Sequence, residues 1–132
     1  MILIYREKEM KKYYNEKINT YVFDDDVEFA FDVNVKSHIK GRDIYANNIN
    51  AFNVEANDIM AGNINVCDIN ANDIKAYNID ALGITANDIS YFAVCFAYDR
   101  ICCNYIKGIH PKAKHFVLDG ELIIGGKKYD YN

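Results

Sequence analysis

The centre of the chain repeats every five residues, and this period constrains the fold more than any other feature of the sequence. Ten consecutive blocks cover residues 41–90, and the fourth residue of every block is Ile or Val. The first residue is Ala or Gly in nine blocks, and the third is Asn or Asp in nine. A period of five fits neither the turn of an α-helix nor the alternation of a long strand. The repeat therefore predicts short extended faces separated by corners.

Each extended face is expected to turn its large and its small residue to the same side. Residues two apart in an extended segment share a side, so Ile44 and Ala46 both point inward. Asn and Asp occupy the corners, where we expect left-handed backbone and bonds to their own main chain, and Gly83 fits the same demand. Coils stacked about 4.8 Å apart then form an all-β fold, a narrow parallel β-helix whose core is the repeat itself.

This repeat resembles that of the pentapeptide-repeat proteins in its period, its use of Ala and Ile, and its Asn and Asp content over residues 36–94. Its order differs, because here the large residue precedes the small one by two positions. The resemblance implies a right-handed, four-sided β-helix in which residues twenty apart stack. Asn48, Asp68 and Asp88 would then share one edge, and Glu55 would lie over Lys75. The block and its continuation into YFAVCFAY and AKHFVLDGEL also look like small repeat proteins of bacteria and their phages.

The segment before the repeat predicts a cap. Residues 1–20 are predicted to form an N-terminal helical segment, because residues 5–19 are rich in helix formers and lack Pro and Gly. Five apolar or aromatic side chains fall loosely on one face of this helix: Tyr5, Met10, Tyr13, Tyr14 and Ile18. Residues 21–40 are predicted to form a lead-in strand and N-terminal cap, since apolar and polar side chains alternate from Val27 to Lys36.

Residues 41–90 are predicted to form the solenoid, and residues 91–132 are predicted to form a C-terminal β cap. After Ser90 large residues fill the positions that Ala held: Tyr91, Phe96, Ile101 and Ile106. The chain ends in a predicted hairpin with an Asp119-Gly120 turn. Because solenoid ends expose strand edges, we expect residues 91–132 to form the surface of a head-to-head homodimer.

Composition limits the classes of function. The chain has 15 Lys and Arg against 19 Asp and Glu, a formal net charge of −4, so we expect no direct binding to nucleic acid. The apolar opening at residues 1–5 is followed at once by Arg6, and it is too short for a signal peptide or a membrane span. We therefore expect a cytoplasmic protein that does not bind membranes.

No residue pattern points to catalysis or to a cofactor. The four cysteines show no C-x-x-C spacing, and we interpret them as reduced core residues: Cys67, Cys95, Cys102 and Cys103. The alternative is a metal site in which the last three converge with His110. The run Asp24-Asp25-Asp26 is interpreted as a solvated turn. We expect no enzyme, no metal and no cofactor.

Acidic residues concentrate in the solenoid, where residues 41–90 hold seven acidic and two basic side chains. The resemblance implies a role for them, since some pentapeptide-repeat proteins are thought to imitate DNA before topoisomerases. We hypothesise a protein-binding solenoid that inhibits a nucleic-acid-processing enzyme such as a topoisomerase, a restriction nuclease or, as a phage anti-CRISPR, a CRISPR nuclease. Its acidic wall comprises Asp43, Asp58, Asp68, Asp73 and Asp88. Corner chemistry is the alternative explanation, because most outward positions are Asn.

A second set of outward residues is unusually apolar for a solvated wall. This apolar wall comprises Tyr45, Phe52, Met60, Tyr77 and Leu82. On a four-sided coil Tyr45 and Leu82 would share one face, and Met60 and Tyr77 another. The alternative function is a structural rod or assembly spacer of bacterial or phage origin without an enzyme target.

Overall fold

The computed structural model is an all-β protein built around one parallel β-solenoid. It describes residues 2–5 and 7–129, with side chains from residue 9 onward. Within this range lie one 3-10 helix, Glu7–Tyr13, and sixteen strands. The strands are Ile2–Tyr5 (β1), Tyr14–Asn15 (β2), Thr20–Val22 (β3), Asp26–Phe29 (β4), Val33–Asn34 (β5), His38–Lys40 (β6), Asp43–Asn50 (β7), Asn53–Glu55 (β8), Asp58–Asn65 (β9), Asp68–Asn70 (β10), Asp73–Thr85 (β11), Asp88–Cys103 (β12), Tyr105–Gly108 (β13), Lys114–Val117 (β14), Glu121–Ile124 (β15) and Lys127–Tyr129 (β16).

The coil has three faces, because equivalent residues of successive coils are fifteen apart in the sequence. On the first face, neighbouring strands pair Ile44 with Ile59, Ile59 with Ile74 and Ile74 with Ile89. The second face joins Ile49 to Ile64 and Ile79, and the third joins Val54 to Ile69 and Ile84. The parallel β-helix is confirmed. The expected four-sided coil is wrong, because three blocks of five residues close each turn.

The stacking expected from a twenty-residue coil is wrong for the same reason. Asp68 lies between Asn53 and Gly83 on the third face. Glu55 pairs with Asn70 on that face, whereas Lys75 pairs with Met60 and Ser90 on the first.

The described chain makes about six turns. We number them coil 1 (residues 26–42), coil 2 (43–57), coil 3 (58–72), coil 4 (73–87), coil 5 (88–104) and coil 6 (105–124). In coil 2 the first face is formed by residues 43–46, the second by 48–50 and the third by 53–55.

The inward residues of the repeat form the central part of the core, as predicted, and buried residues of both flanks extend it. All ten Ile and Val side chains at the fourth position of the blocks are buried. The Ala residues two positions later are buried or pack against the core. Because each buried Ile or Val contributes roughly 1.5–3 kcal/mol, these columns provide most of the stabilisation.

The expectation of left-handed corners is wrong. Among the described residues, positive φ angles occur at Asn19, Gly125 and Gly126, and Gly83 is not one of them. Backbone carbonyls at the corners instead accept hydrogen bonds from N–H groups of the next coil. The carbonyl of Asn57, for example, accepts hydrogen bonds from the N–H groups of Asn72 (2.7 Å) and Asp73 (3.1 Å).

The N-terminal flank caps the solenoid without the expected amphipathic helix. Strands β1 and β3 both pair with coil 1, so only the short 3-10 helix and β2 connect them. Met10 is buried, and the ring of Tyr13 stacks on Phe23 at 4.9 Å. Tyr14 and Ile18 are exposed, so the predicted helix face is not formed. The Tyr5 side chain lies outside the described residues.

The lead-in segment is already part of the solenoid. Strands β4 and β5 pair in parallel with β7, and β6 pairs with β8. A bend near residues 30–32 divides the expected continuous strand and forms the first corner of coil 1.

Coil 5 keeps the core register by adding two residues. The pairing of β12 with β11 shifts once between Ala76 and Asn78 and again between Ala81 and Gly83. As a result Ala97, not Phe96, pairs with Ala81, and Ile101 takes the position of a large core residue. The expectation that four large residues replace Ala holds only for Tyr91, which pairs with Ala76 and is buried.

The C-terminal hairpin turns at Gly125-Gly126, and not at Asp119-Gly120 as predicted. Strands β14 and β15 both pair in parallel with β12, so Asp119 and Gly120 lie at a corner. The antiparallel pair is β15 and β16. Gly125 and Gly126 connect them with φ angles of 59° and 80°, the backbone that a type I′ hairpin turn requires.

Candidate binding surfaces

Four of the five aspartates of the predicted acidic wall form one straight column at the start of the first face. The register of three successive strand pairs joins Asp43, Asp58, Asp73 and Asp88. Asp26 extends the column into coil 1, because the residue after it, Val27, pairs with Ile44. We call these five residues, Asp26, Asp43, Asp58, Asp73 and Asp88, the aspartate ladder.

The fifth predicted residue, Asp68, lies elsewhere. It belongs to the third face, where its neighbours in the stack are Asn53 and Gly83. The predicted acidic wall is therefore one column of four aspartates and one separate carboxylate.

Sequence reasoning missed Asp26 as a member of the ladder. It lies seventeen residues before Asp43, because the turn from β4 to β7 is longer than the repeat. The fifteen-residue spacing of the other four was visible in the sequence and identifies both the ladder and the three-sided coil.

The ladder carboxylates affect one another. Asp58 is exposed, and slight desolvation, followed by the charges of Asp43 and Asp73, raises its pKa above the ordinary value. The backbone N–H of Asp73 donates to Asp58 and acts in the opposite direction. Within the described part of the chain, the ion pair found is Lys128–Glu121, so no cation neutralises the ladder at contact distance.

The corners do not require these charges. The N–H of Asp43 donates to Oδ1 of Asp26 at 3.1 Å, and the N–H of Asp68 donates to Oδ1 of Asn53 at the same distance. On the second face the equivalent column is an amide ladder of Asn48, Asn63 and Asn78, joined by side-chain hydrogen bonds of 3.0 Å. An Asn side chain thus makes the same corner bond as Asp, and the negative charge is an additional property of the first face.

The predicted apolar wall divides among three places. Tyr45 and Met60 are neighbours on the first face. Phe52 and Leu82 lie in the corner column between the second and third faces, as the hydrogen bonds of Cys67 to both show. Tyr77 lies at the corner between the first and second faces, with its ring 4.6 Å from that of Phe92. The expected groupings on a four-sided coil are therefore wrong.

One cavity brings residues of both predicted walls together. It has a volume of about 160 Å³ and lies beside the aspartate ladder on the first face. Its lining includes Tyr45, Met60 and Lys75 together with Asp58 and Asp73. The two carboxylates outnumber the single ammonium group of Lys75 in this lining. Together with the apolar floor they suit a further long basic side chain, whose stem packs on the floor while its charge meets the carboxylates.

The cysteines do not assemble a metal centre with histidine in the described residues. Cys95 and Cys103 are buried in the core, as expected, and burial raises their pKa values to about 12 and about 11. Cys67 and Cys102 are only partly buried. His110 is exposed and packs on the ring of Phe92. Across residues 9–129 no three His, Cys, Asp or Glu side chains form a group able to hold a metal ion.

No protein-family model, curated protein or solved structure matches the chain. The repeat β-helix is therefore shown by the strand pairing of the structure alone. The likeness to pentapeptide-repeat proteins remains a resemblance of sequence. Among the described residues, no helix is both long and apolar enough to cross a bilayer.

Proposed function

We propose that this protein is a non-catalytic, cytoplasmic binding solenoid that inhibits a nucleic-acid-processing enzyme by docking the aspartate ladder on its basic nucleic-acid-binding surface. The observation that carries the proposal is the alignment of five aspartates along one corner of a rigid coil. Their spacing follows the stacking of strands, about 4.8 Å, which is of the same order as the charge spacing of roughly 3.4 Å along one strand of DNA.

The placement of charge supports binding more than it supports folding. Asn makes the same corner bond on the other faces, so five Asp residues in one column add repulsion without adding a backbone contact. Unit charges about 5 Å apart repel by about 1 kcal/mol in water. A basic partner surface relieves this repulsion and gains counter-charge along the whole column.

The cavity beside the ladder supplies a second element of recognition. Arginine and lysine dominate the surfaces of proteins that grip DNA backbones. The Tyr45 and Met60 side chains offer an apolar floor for the stem of one such residue, next to the carboxylates of Asp58 and Asp73. The target classes are those whose channels bind DNA phosphates: a topoisomerase, a restriction nuclease or a CRISPR nuclease.

The test is inhibition of one purified member of each of these three classes, with DNA substrate at limiting concentration. The ladder variant carries Asp43→Asn, Asp58→Asn, Asp73→Asn and Asp88→Asn, which keep the corner hydrogen bonds. The matched control removes four acidic charges elsewhere, with Glu55→Gln, Asp68→Asn, Asp80→Asn and Asp99→Asn. We expect the ladder variant to lose inhibition at least ten-fold and the control to change it less than three-fold.

Two results would contradict the proposal. Equal inhibition by the ladder variant and the wild type would exclude the ladder as the contact surface. Failure of the wild type to inhibit any of the three enzymes at micromolar concentration would exclude the inhibitor function. The structural rod or assembly unit would then be the better account, and the exposed apolar side chains of coils 4 to 6 favour it.

A further inference from the structure

The second face changes character along the length of the solenoid. In coils 2 and 3 its outward side chains are all Asn: Asn48, Asn50, Asn63 and Asn65. In coils 5 and 6 the equivalent positions hold Val94, Phe96 and Phe116, with Lys114 at the edge. The rings of Phe96 and Phe116 are 4.9 Å apart. A face that is polar at one end is therefore apolar at the other.

Both corners beside this part of the face continue the apolar surface. At one corner Tyr77 packs on Phe92. At the other, Leu82, Tyr98 and Leu118 follow one another in successive coils. We call this surface the apolar plate; its members are Tyr77, Leu82, Phe92, Val94, Phe96, Tyr98, Phe116 and Leu118. Tyr77 and Leu118 are each 56% exposed.

The plate is larger than scattered surface apolar residues would give. Six of its eight members are 37–56% exposed. Side chains of this size then present apolar surface on the order of several hundred Å², comparable to the largest patch on typical monomers. A standard stable interface buries about 800 Å² on each partner. The plate and the residues around it together offer an area of that order.

We infer that the apolar plate is a self-association surface, on which a second copy of this chain packs face to face with its coils running in the opposite direction. Val94, Phe96 and Phe116 at the centre of the plate are uncharged, whereas Asp80 of coil 4 and Lys114 of coil 6 lie at its margins. A second apolar plate therefore suits this centre better than a charged surface does, and a two-fold axis places the same patch on both partners. It is also a sheet face, which packs on another sheet face about 10 Å away.

The C-terminal edge is less suited to the pairing of two copies. Within the described residues, β13 and β14 each pair on one side only, whereas β16 covers β15. The third face therefore has one more strand than the other two faces at this end. Two copies placed head to head therefore cannot pair all three faces edge to edge at once. The apolar plate offers a better contact than the C-terminal strand edges, which were expected from the sequence to form the dimer.

This arrangement leaves the aspartate ladder free, and the inference does not depend on the proposed function. The ladder starts the first face, beside the corner that lies opposite the second face of the triangular coil. In the antiparallel dimer the polar Asn stretches extend past the contact on both sides, and the two ladders point outward.

The experiment is sedimentation velocity of the full chain over a concentration series. We expect the wild type to form a dimer of twice 15.2 kDa. The plate variant carries Val94→Glu and Leu118→Glu, which place like charges across the two-fold contact. The control carries Met60→Glu and Ile18→Glu, which have comparable exposure (47% and 53%) outside the plate. The plate variant should weaken dimerisation at least 100-fold, and the control less than three-fold.

Circular dichroism of each variant establishes that the fold is retained. If Val94→Glu with Leu118→Glu fails to fold, Tyr98→Ser with Leu118→Ser repeats the test without charge, and at least a ten-fold weakening is expected. A wild type that stays monomeric to millimolar concentration would overturn the inference. So would a dimer that both plate variants leave intact, because the contact would then lie elsewhere.

Discussion

The hydroxyl of Tyr91 lies 2.7 Å from Nδ1 of His115, and this contact joins coil 5 to coil 6. Tyr91 occupies a core position that Ala76 holds one coil earlier, and it is among the largest fully buried side chains. The larger ring fills the end of the core, and its hydroxyl finds a partner there. The contact therefore ties the C-terminal cap to the regular repeat.

Tyr91→Phe should destabilise the protein by about 1–3 kcal/mol, because Nδ1 of His115 loses its partner while the ring still fills the core. Urea unfolding followed by circular dichroism measures this difference. The matched control is Tyr105→Phe, at an exposed position, which should change the free energy of unfolding by less than about 0.5 kcal/mol. Equal effects of the two substitutions would mean that the hydrogen bond adds nothing.

His115 also predicts a pH dependence of stability. Burial lowers its pKa below the ordinary value of 6.5. The folded state therefore binds the proton less readily than the unfolded state, so the contribution of neutral His115 is complete above pH 6.5 and is lost as the pH falls through the folded pKa. The urea midpoint of the wild type should fall more between pH 7.5 and pH 5 than that of His115→Asn. His110→Asn, at an exposed position, is the control and should follow the wild type.

The aspartate ladder should cost stability at neutral pH. A carboxyl whose folded pKa is raised favours folding in its protonated form, so ionised Asp58 opposes folding above that pKa. Asp58→Asn should therefore raise the free energy of unfolding at pH 7 by up to about 0.5 kcal/mol, with a smaller gain in 1 M salt. Asp68→Asn, outside the ladder, should give no such gain. A loss of stability in Asp58→Asn would show that its carboxylate is needed by the fold.

The amide ladder of the second face should contribute to stability in proportion to its hydrogen bonds. Asn63 donates to Asn48 and accepts from Asn78, each at 3.0 Å. Asn63→Ala removes both contacts and should cost about 1 kcal/mol in urea unfolding. Asn65→Ala is the control, because Asn65 is exposed and makes no side-chain hydrogen bond in the described residues. If the two substitutions lower the free energy of unfolding equally, the hydrogen bonds of the amide ladder add no stability.

The five-residue period was sufficient to predict the solenoid, its parallel pairing and its core. Large and small residues alternate inward on any coil built from such blocks, as Ile44 and Ala46 do, whatever the number of faces. The number of faces depends on the angle turned at each corner, which the identity of one Asn or Asp does not determine. The fifteen-residue recurrence of Asp from Asp43 to Asp88 carried that information.

The ends were harder to predict because they depart from the repeat. The two added residues of coil 5 move Phe96 outward and Ala97 inward, and no local propensity marks where a strand will shift its register. The segment from Glu7 to Tyr13 has helical composition, yet the pairing of β1 and β3 on either side leaves it room for a short 3-10 helix only. Long-range pairing overrides composition at both ends.

The three-sided register predicts which engineered cysteines will join. Asp58 and Asp73 are neighbours in adjacent parallel strands, whose spacing of about 4.8 Å falls within the Cα separation that a disulfide accepts. In a background carrying Cys67→Ser and Cys102→Ser, the pair Asp58→Cys and Asp73→Cys should oxidise to a disulfide that mass spectrometry identifies. The control pair is Asp58→Cys and Asn78→Cys, twenty residues apart, which a four-sided coil would stack and the three-sided coil places on different faces. Efficient oxidation of the control pair in place of the first would contradict the register on which the aspartate ladder depends.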